Sequence, residues 1–204
     1  MNTTTTPQPT IPGLAAVASF FRLSVDEYHE MIRNDTLTTE DRVELLDGYL
    51  VNKMPQNIPH RQSVLRLITR LTTRLPNGWM VMTQMPVTLT ASSPEPDGAI
   101  VRGNDATYDT RNPSGRDFGI VIEVSDSSLR LDRGPKLCLY AQASIPVYWI
   151  VNIADRQIEV YTTPDPTADP PTYTVRTDYG LADAVPLVLD GVEVGTIPVA
   201  ELIP

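Results

Sequence analysis

The sequence predicts an α/β protein in which buried strands alternate with amphipathic helices. Three observations carry that expectation. "FGIVIEVSDSS" at 118–128 opens with a near-continuous apolar run, the mark of a strand covered on both faces. Between Pro59 and Leu75, apolar residues Val64, Leu65, Ile68, Leu71 and Leu75 recur at helical spacing. Asp47-Gly48, set between two apolar runs, is a two-residue hairpin signal.

The elements follow in order. Thr and Pro dominate residues 3–12, so residues 1–20 are expected to form a flexible tail. The apolar patch at 14–21 has no basic residue before it, which argues against a secretory signal. Ser24 with Glu27 three residues on is a capping box and starts a short helix. Residues 42–46 and 49–54 pair as strands about Asp47-Gly48. The helix at 59–75 carries Arg66, Arg70 and Arg74 as a stripe expected to be a solvated face. Residues 79–90 read as a strand broken or bulged at Pro86. "PDGAIV" and the run at 119–124 are strands, and "KLCLYAQAS" is a helix whose first turn suits Pro135. "VYWIVN" and "QIEVYTT" form a hairpin, with Tyr148 and Trp149 as core aromatics. Four prolines make 163–172 a loop. A small β-extension with a turn at Asp190-Gly191 completes the chain. The division is therefore a tail at 1–20, a core at 21–163, and a loop with a packed β-extension at 164–204.

Composition narrows the function. The 204 residues suffice for one sizeable core, 41% of them hydrophobic, without a run long enough to span a membrane. The single cysteine, Cys138, rules out an intrachain disulfide and a multi-cysteine zinc site, and points to a cytoplasmic protein. A net charge of −9 weighs against a nucleic-acid partner, unless a local basic groove or a metal inverts the field.

Glu123 interrupts the apolar run at 118–124, and a carboxylate is costly to bury unless it is paired or ligated. Asp97 opens another apolar strand, and Lys136 follows at the start of the next helix. Two carboxylates converging on one point suit Mg²⁺ or Mn²⁺. A lysine beside such an ion can orient a water or steady charge on phosphate. Near a helix N-terminus Lys136 opposes the helix dipole, a penalty that the acid pair would offset.

These stretches carry a resemblance. "RVELLDGYLV", "EPDGAIV", "IVIEVSDSS", "DRGPKLCLYAQASIPVYWIVN" and "IEVY" stand in the order seen in a large bacterial family of putative restriction endonucleases, within the PD-(D/E)XK nuclease superfamily. The resemblance runs from about Leu23 to Tyr161. It implies a restriction-endonuclease-like mixed sheet flanked by helices, and a Mg²⁺- or Mn²⁺-dependent site that cuts DNA. Asp97 matches the acid of the PD motif and Glu123 the second acid. The third motif position holds Ser125 rather than lysine, and Lys136 matches the lysine that this family supplies from the following helix. Glu44 matches a frequent further acid, making Glu44, Asp97 and Glu123 the implied metal ligands. His60, Gln84 and Ser125 are candidate substrate contacts. Cutting both strands would call for two sites, hence a homodimer. Two other functions remain: a nuclease-fold binding or scaffold protein without hydrolysis, and a nuclease acting on RNA or smaller phosphate esters.

Overall fold

The computed structural model describes residues 20–204, so the expected tail, but for Phe20, lies outside the described residues. Its centre is a six-stranded mixed sheet in the order β3 (Trp79–Met82), β4 (Gly98–Arg102), β5 (Phe118–Ser125), β6 (Val147–Asn152), β7 (Gln157–Asp165) and β8 (Thr172–Gly180). β5 and β6 are parallel and the other neighbours antiparallel. A parallel pair needs a crossover. It comes as a helical run of three parts: α3 (Leu129–Leu131), a π turn (Asp132–Lys136) and α4 (Leu137–Gln142).

Both faces of the sheet are covered, which explains the apolar run of β5. Ile120, Ile122 and Val124 pack with Leu67 and Leu71 of α2 (Ile58–Thr72) and with Val185, Leu187 and Ile197 of the hairpin β9 (Ala184–Leu189) and β10 (Val192–Pro198). Val121 faces the other way, against Leu137, Tyr140 and Ala141 of the crossover. Tyr148 and Trp149, adjacent on β6, enter opposite cores and are fully buried.

The N-terminal part is α1 (Val25–Arg33), capped reciprocally by Ser24 and Glu27, and the hairpin β1 (Val43–Leu46) and β2 (Tyr49–Asn52). Asp47 and Gly48 both take positive φ, 49° and 79°, as the tight hairpin turn requires. A Cβ on Gly48 would lie 2.7 Å from the Arg22 Cβ, so glycine is needed there for space as well.

Four expectations change. The strand expected over 79–90 ends at Met82, because Gln84 turns to φ 51° and the chain closes a local loop with Val87 N–H bonded to Pro94 O at 2.8 Å. The expected loop at 163–172 is shorter, since Pro164 and Asp165 still pair with Tyr173 and Thr172. Beyond it the chain first adds β8 to the central sheet and then forms the β9–β10 hairpin. The arginine stripe is not simply solvated. Arg66 donates to Ile203 O at 2.6 Å, and Arg70 and Arg74 both pair with Glu201, so the stripe ties α2 to the C-terminal segment. Finally, Lys136 is not near a helix N-terminus. Helical geometry begins at Leu129, and Pro135, lacking an N–H, lies within a widened turn closed by Leu137 N–H to Asp132 O. The dipole penalty inferred from the sequence therefore does not apply.

Candidate active site

Asp97 ends the approach to β4, and Glu123 lies near the end of β5. The register pairs Gly98 with Ile122 in antiparallel fashion, so Asp97 stands opposite Glu123 on the face covered by the crossover. The Asp97 Oδ2 atom accepts the Val124 backbone N–H at 2.9 Å and lies 3.1 Å from His60 Nε2. His60 is held by its own helix start, where Asn57 caps α2 by accepting the His60 N–H. His60 Nδ1 is buried without a hydrogen-bond partner among the described residues.

Glu123 is 3% exposed. Its Oε1 accepts from Lys136 Nζ at 2.9 Å and from the Tyr140 hydroxyl at 2.7 Å. Lys136 Nζ also lies 3.2 Å from Glu44 Oε1, while Glu44 Oε2 accepts the Glu95 N–H at 3.1 Å. The β1–β2 hairpin, β5 and the crossover thus meet at one ammonium. Burial raises the Glu123 carboxyl well above the usual carboxylate range; Lys136 opposes this, and Asp132, Asp97 and Glu44 add to it. Burial alone would push Lys136 toward its neutral form, but Glu123, Glu44 and Asp132 outweigh it, and its pKa is raised. The two directions are compatible. One ammonium balances one charge, and protonating an acid relieves the surplus.

The sequence reading missed the groups that hold this arrangement. Asp132, 2% exposed, accepts from Ser125 Oγ and from Ser128 Oγ, the latter at 2.6 Å. Ser125 is therefore turned toward Asp132 and does not line the cleft. Gln84 is exposed and lines a neighbouring groove beside Asp97. One residue after Asp132, Arg133 spans both oxygens of Glu159 on β7. Glu159, with no exposed surface, also accepts from Asn152 at 2.8 Å and from Tyr161 at 2.8 Å. The signal was present: Glu159 interrupts "QIEVY" as Glu123 interrupts its own strand.

Burial pushes Glu159 up, but the hydrogen bonds from Arg133, Asn152 and Tyr161 and the charge of Arg176 win, and its pKa is held at about 2. A depressed carboxyl contributes stability above its unfolded value, and that stability is lost as pH falls from about 4.5 toward 2. Arg133→Met should therefore cost about 3 kcal/mol at neutral pH, because it removes two hydrogen bonds from a guanidinium to a buried carboxylate and leaves Arg176 at 3.4 Å as the nearby cation. It should also move acid unfolding to higher pH. Chemical denaturation between pH 3 and pH 7 measures both, and identical curves for the variant and the wild type would exclude the clamp.

Glu44, Asp97, Glu123 and Lys136 line one cleft of about 70 Å³, together with His60, Glu95, Asp126 and Asp132. Among the described residues, no group of three or more His, Cys, Asp and Glu side chains stands arranged to enclose a metal. Glu44 and Glu123 converge on the Lys136 ammonium instead. Mg²⁺, however, keeps several waters and typically takes only one or two carboxylates, with substrate phosphates beside them. Asp97 and Glu123 face each other across neighbouring strands, and each is hydrogen-bonded through one oxygen, so the pair fits that demand.

A family model, Uma2, described as putative restriction endonuclease, matches residues 25–193. No curated protein matches. Among solved structures, the chain is similar to a crystal structure of a putative nuclease belonging to DUF820 from Anabaena variabilis. Identity is 13%, the TM-score is 0.63, and the match covers 88% of this chain and 97% of that one. At that identity the likeness speaks for the fold. Among the described residues no helix is long and apolar enough to cross a membrane.

Proposed function

The chain belongs to the Uma2 family of putative restriction endonucleases, and on that premise we propose that it is a Mg²⁺- or Mn²⁺-dependent endonuclease hydrolysing DNA phosphodiester bonds. One observation carries the reading: a buried ammonium, Lys136, held between Glu44 and Glu123 beside Asp97 at the rim of the sheet. Asp97 and Glu123 would hold the metal. When bound, the metal supplies a Lewis acid for a phosphoryl oxygen and lowers the pKa of a bound water.

The remaining groups work around that pair. Lys136 stays protonated and has three N–H donors, two of them facing Glu44 and Glu123. The third is left for a water or a phosphate oxygen, where it can orient the nucleophile or stabilise developing charge. Glu44 was expected among the metal ligands. With both oxygens engaged, it serves in this reading to hold Lys136 in place. His60 fixes the orientation of the Asp97 carboxylate. A double-strand cut would pair two such sites in a homodimer, and the single, half-buried Cys138 suits a reducing cytoplasm.

The cleft itself favours a second reading. Six carboxyl side chains line it against two lysines, which repels a polyanion until cations bind. A nuclease fold kept for binding without hydrolysis would tolerate this. Incubating supercoiled plasmid, single-stranded DNA and RNA with the protein in Mg²⁺, Mn²⁺ or no metal tests the proposal. Metal-dependent cleavage of DNA, lost in Asp97→Asn, is expected. Cleavage of RNA alone would redirect the substrate, and no cleavage of any nucleic acid under either metal would leave the binding reading standing.

A further inference from the structure

The chain has two lysines, Lys53 and Lys136, and both line the acid cleft. The proposed chemistry uses Lys136 and leaves Lys53 without a task. Lys53 follows β2 directly, and its N–H donates to Arg42 O at 2.8 Å. The β1–β2 register, with Val43 opposite Asn52, makes Arg42 and Lys53 cross-strand neighbours at the open end of that hairpin. Residues opposed in this way share a face.

Both side chains line a second, larger groove of about 490 Å³ that adjoins the cleft and shares Lys53, Gln56, Glu95 and Asp97 with it. The two cations are differently committed from Lys136. Lys53 pairs with Glu95, the side chains 29% and 26% exposed, against 7% for Lys136. Arg42 is exposed, its guanidinium touches only Met54 O at 3.4 Å, and it has no acidic partner among the described residues. A partly accessible pair of this kind can exchange its anion more readily than the buried pairs of Lys136.

We propose that Arg42 and Lys53 form a phosphate subsite, which takes a backbone phosphate flanking the scissile one as the nucleic-acid strand passes from the acid cleft into the groove. Glu95 occupies Lys53 in the free protein and yields it to that phosphate. The inference rests on the nuclease reading. It adds a direction to that reading, because the strand must run past the β1–β2 hairpin. It also supplies the local basic feature that a chain of net charge −9 needs if it is to hold a polyanion.

The test is equilibrium binding of a fluorescein-labelled 16-nucleotide DNA strand in Ca²⁺ buffer, with the strand checked for integrity on a gel and the salt concentration varied. Lys53→Gln and Arg42→Gln should each weaken binding several-fold, and should each lower the slope of log affinity against log salt by about 0.7, the value for one single-strand phosphate contact. Lys53→Arg should keep the slope. Glu95→Gln should act in the opposite sense and tighten binding, and that gain should vanish in the Lys53→Gln background. Arg116→Gln, the same charge change on the exposed turn Gly115–Asp117 that enters β5 at the end away from Glu123, should match the wild type apart from a small general charge effect.

Wild-type slopes in both Arg42→Gln and Lys53→Gln would overturn the subsite. So would Glu95→Gln and Lys53→Gln weakening binding alike, since that pattern marks their ion pair as a structural brace. Wild-type protein that binds no DNA would overturn the reading of the chain as a DNA nuclease, and the subsite with it.

Discussion

Lys136→Ala is expected to lower metal-dependent cleavage by ~100-fold, equivalent to losing about 3 kcal/mol of transition-state stabilisation, while leaving metal affinity largely intact. An ammonium cannot ligate a cation, so its loss should separate turnover from metal binding. The variant also strands Glu123 and Glu44, each of which loses its contact with Nζ. Breaking a buried pair by removing one partner costs roughly 3–5 kcal/mol, so the metal-free variant should be clearly less stable at pH 8. The deficit should shrink as pH falls and Glu123, whose pKa is raised by burial, takes up its proton, and Mg²⁺ should stabilise the variant and the wild type by similar amounts, as an unchanged metal affinity requires. Lys136→Arg should rescue turnover poorly, because a planar fork does not fit where a compact ammonium sits between two carboxylates. Plasmid cleavage, metal titration and thermal melts together decide the matter. Near-wild-type cleavage by Lys136→Ala would remove the lysine from the chemistry, and equal loss of turnover and metal affinity would make its role purely structural.

Replacing Glu123 should have the opposite effect on stability. The native carboxyl is raised well above its ordinary value, chiefly by burial. A raised carboxyl contributes stability that is fully present below the unfolded value and is lost as pH rises through the folded one. The metal-free protein should therefore weaken as pH climbs from about 5 toward neutrality and beyond. In Glu123→Gln the amide oxygen can still accept from Lys136 and Tyr140, and no proton is exchanged. Its melting temperature at pH 8 should equal the wild type or exceed it by up to about 5 °C, with a flatter pH dependence. Added Mg²⁺ should stabilise the wild type and leave the variant unmoved. A variant that melts far below the wild type at pH 8 without metal would falsify the view that Glu123 is kept for ligation rather than for the fold.

The two experiments read different ends of one arrangement. Lys136 answers a surplus of buried negative charge, and Glu123 is part of that surplus. Between them stands the π turn, which the Arg133–Glu159 clamp holds on one side and the Asp132 hydrogen bonds hold on the other. π turns recur at functional sites. Here the widened turn carries Asp132 and Lys136 into the same buried corner.

Much of this was legible in the sequence for local reasons. The capping box at Ser24, the hairpin turns at Asp47-Gly48 and Asp190-Gly191, and the doubly covered strand around Val121 depend on residues near one another in the chain. Their backbone demands can be read one segment at a time. The misplaced acid in an apolar strand was legible for the same reason: burial of Glu123 follows from its neighbours, and a buried carboxylate must have a partner. What it is paired with depends on four separate segments, and only packing brings them together. Glu44 reaches Lys136 because the β1–β2 hairpin docks on the crossover. Asp97 and Glu123 face each other because β4 and β5 pair in one register and not the next. The same dependence sets the surroundings of other residues. The Ser125 hydroxyl, which the family resemblance makes a candidate substrate contact, donates to Asp132, a partner that the π turn brings to it. The arginines of α2 looked solvated until the chain end crossed them. Lys136 looked like the start of a helix because Pro135 is a local signal, whereas the helical run that begins at Leu129 is held by tertiary contacts from β7 that no local signal records. Short-range sterics and burial were enough to reveal the helix cap, the tight hairpin turns, the doubly covered strand β5 and the presence of a costly buried acid. The tertiary structure alone decided which charges meet, because Coulombic and hydrogen-bond energies depend on distances between segments that the chain leaves far apart.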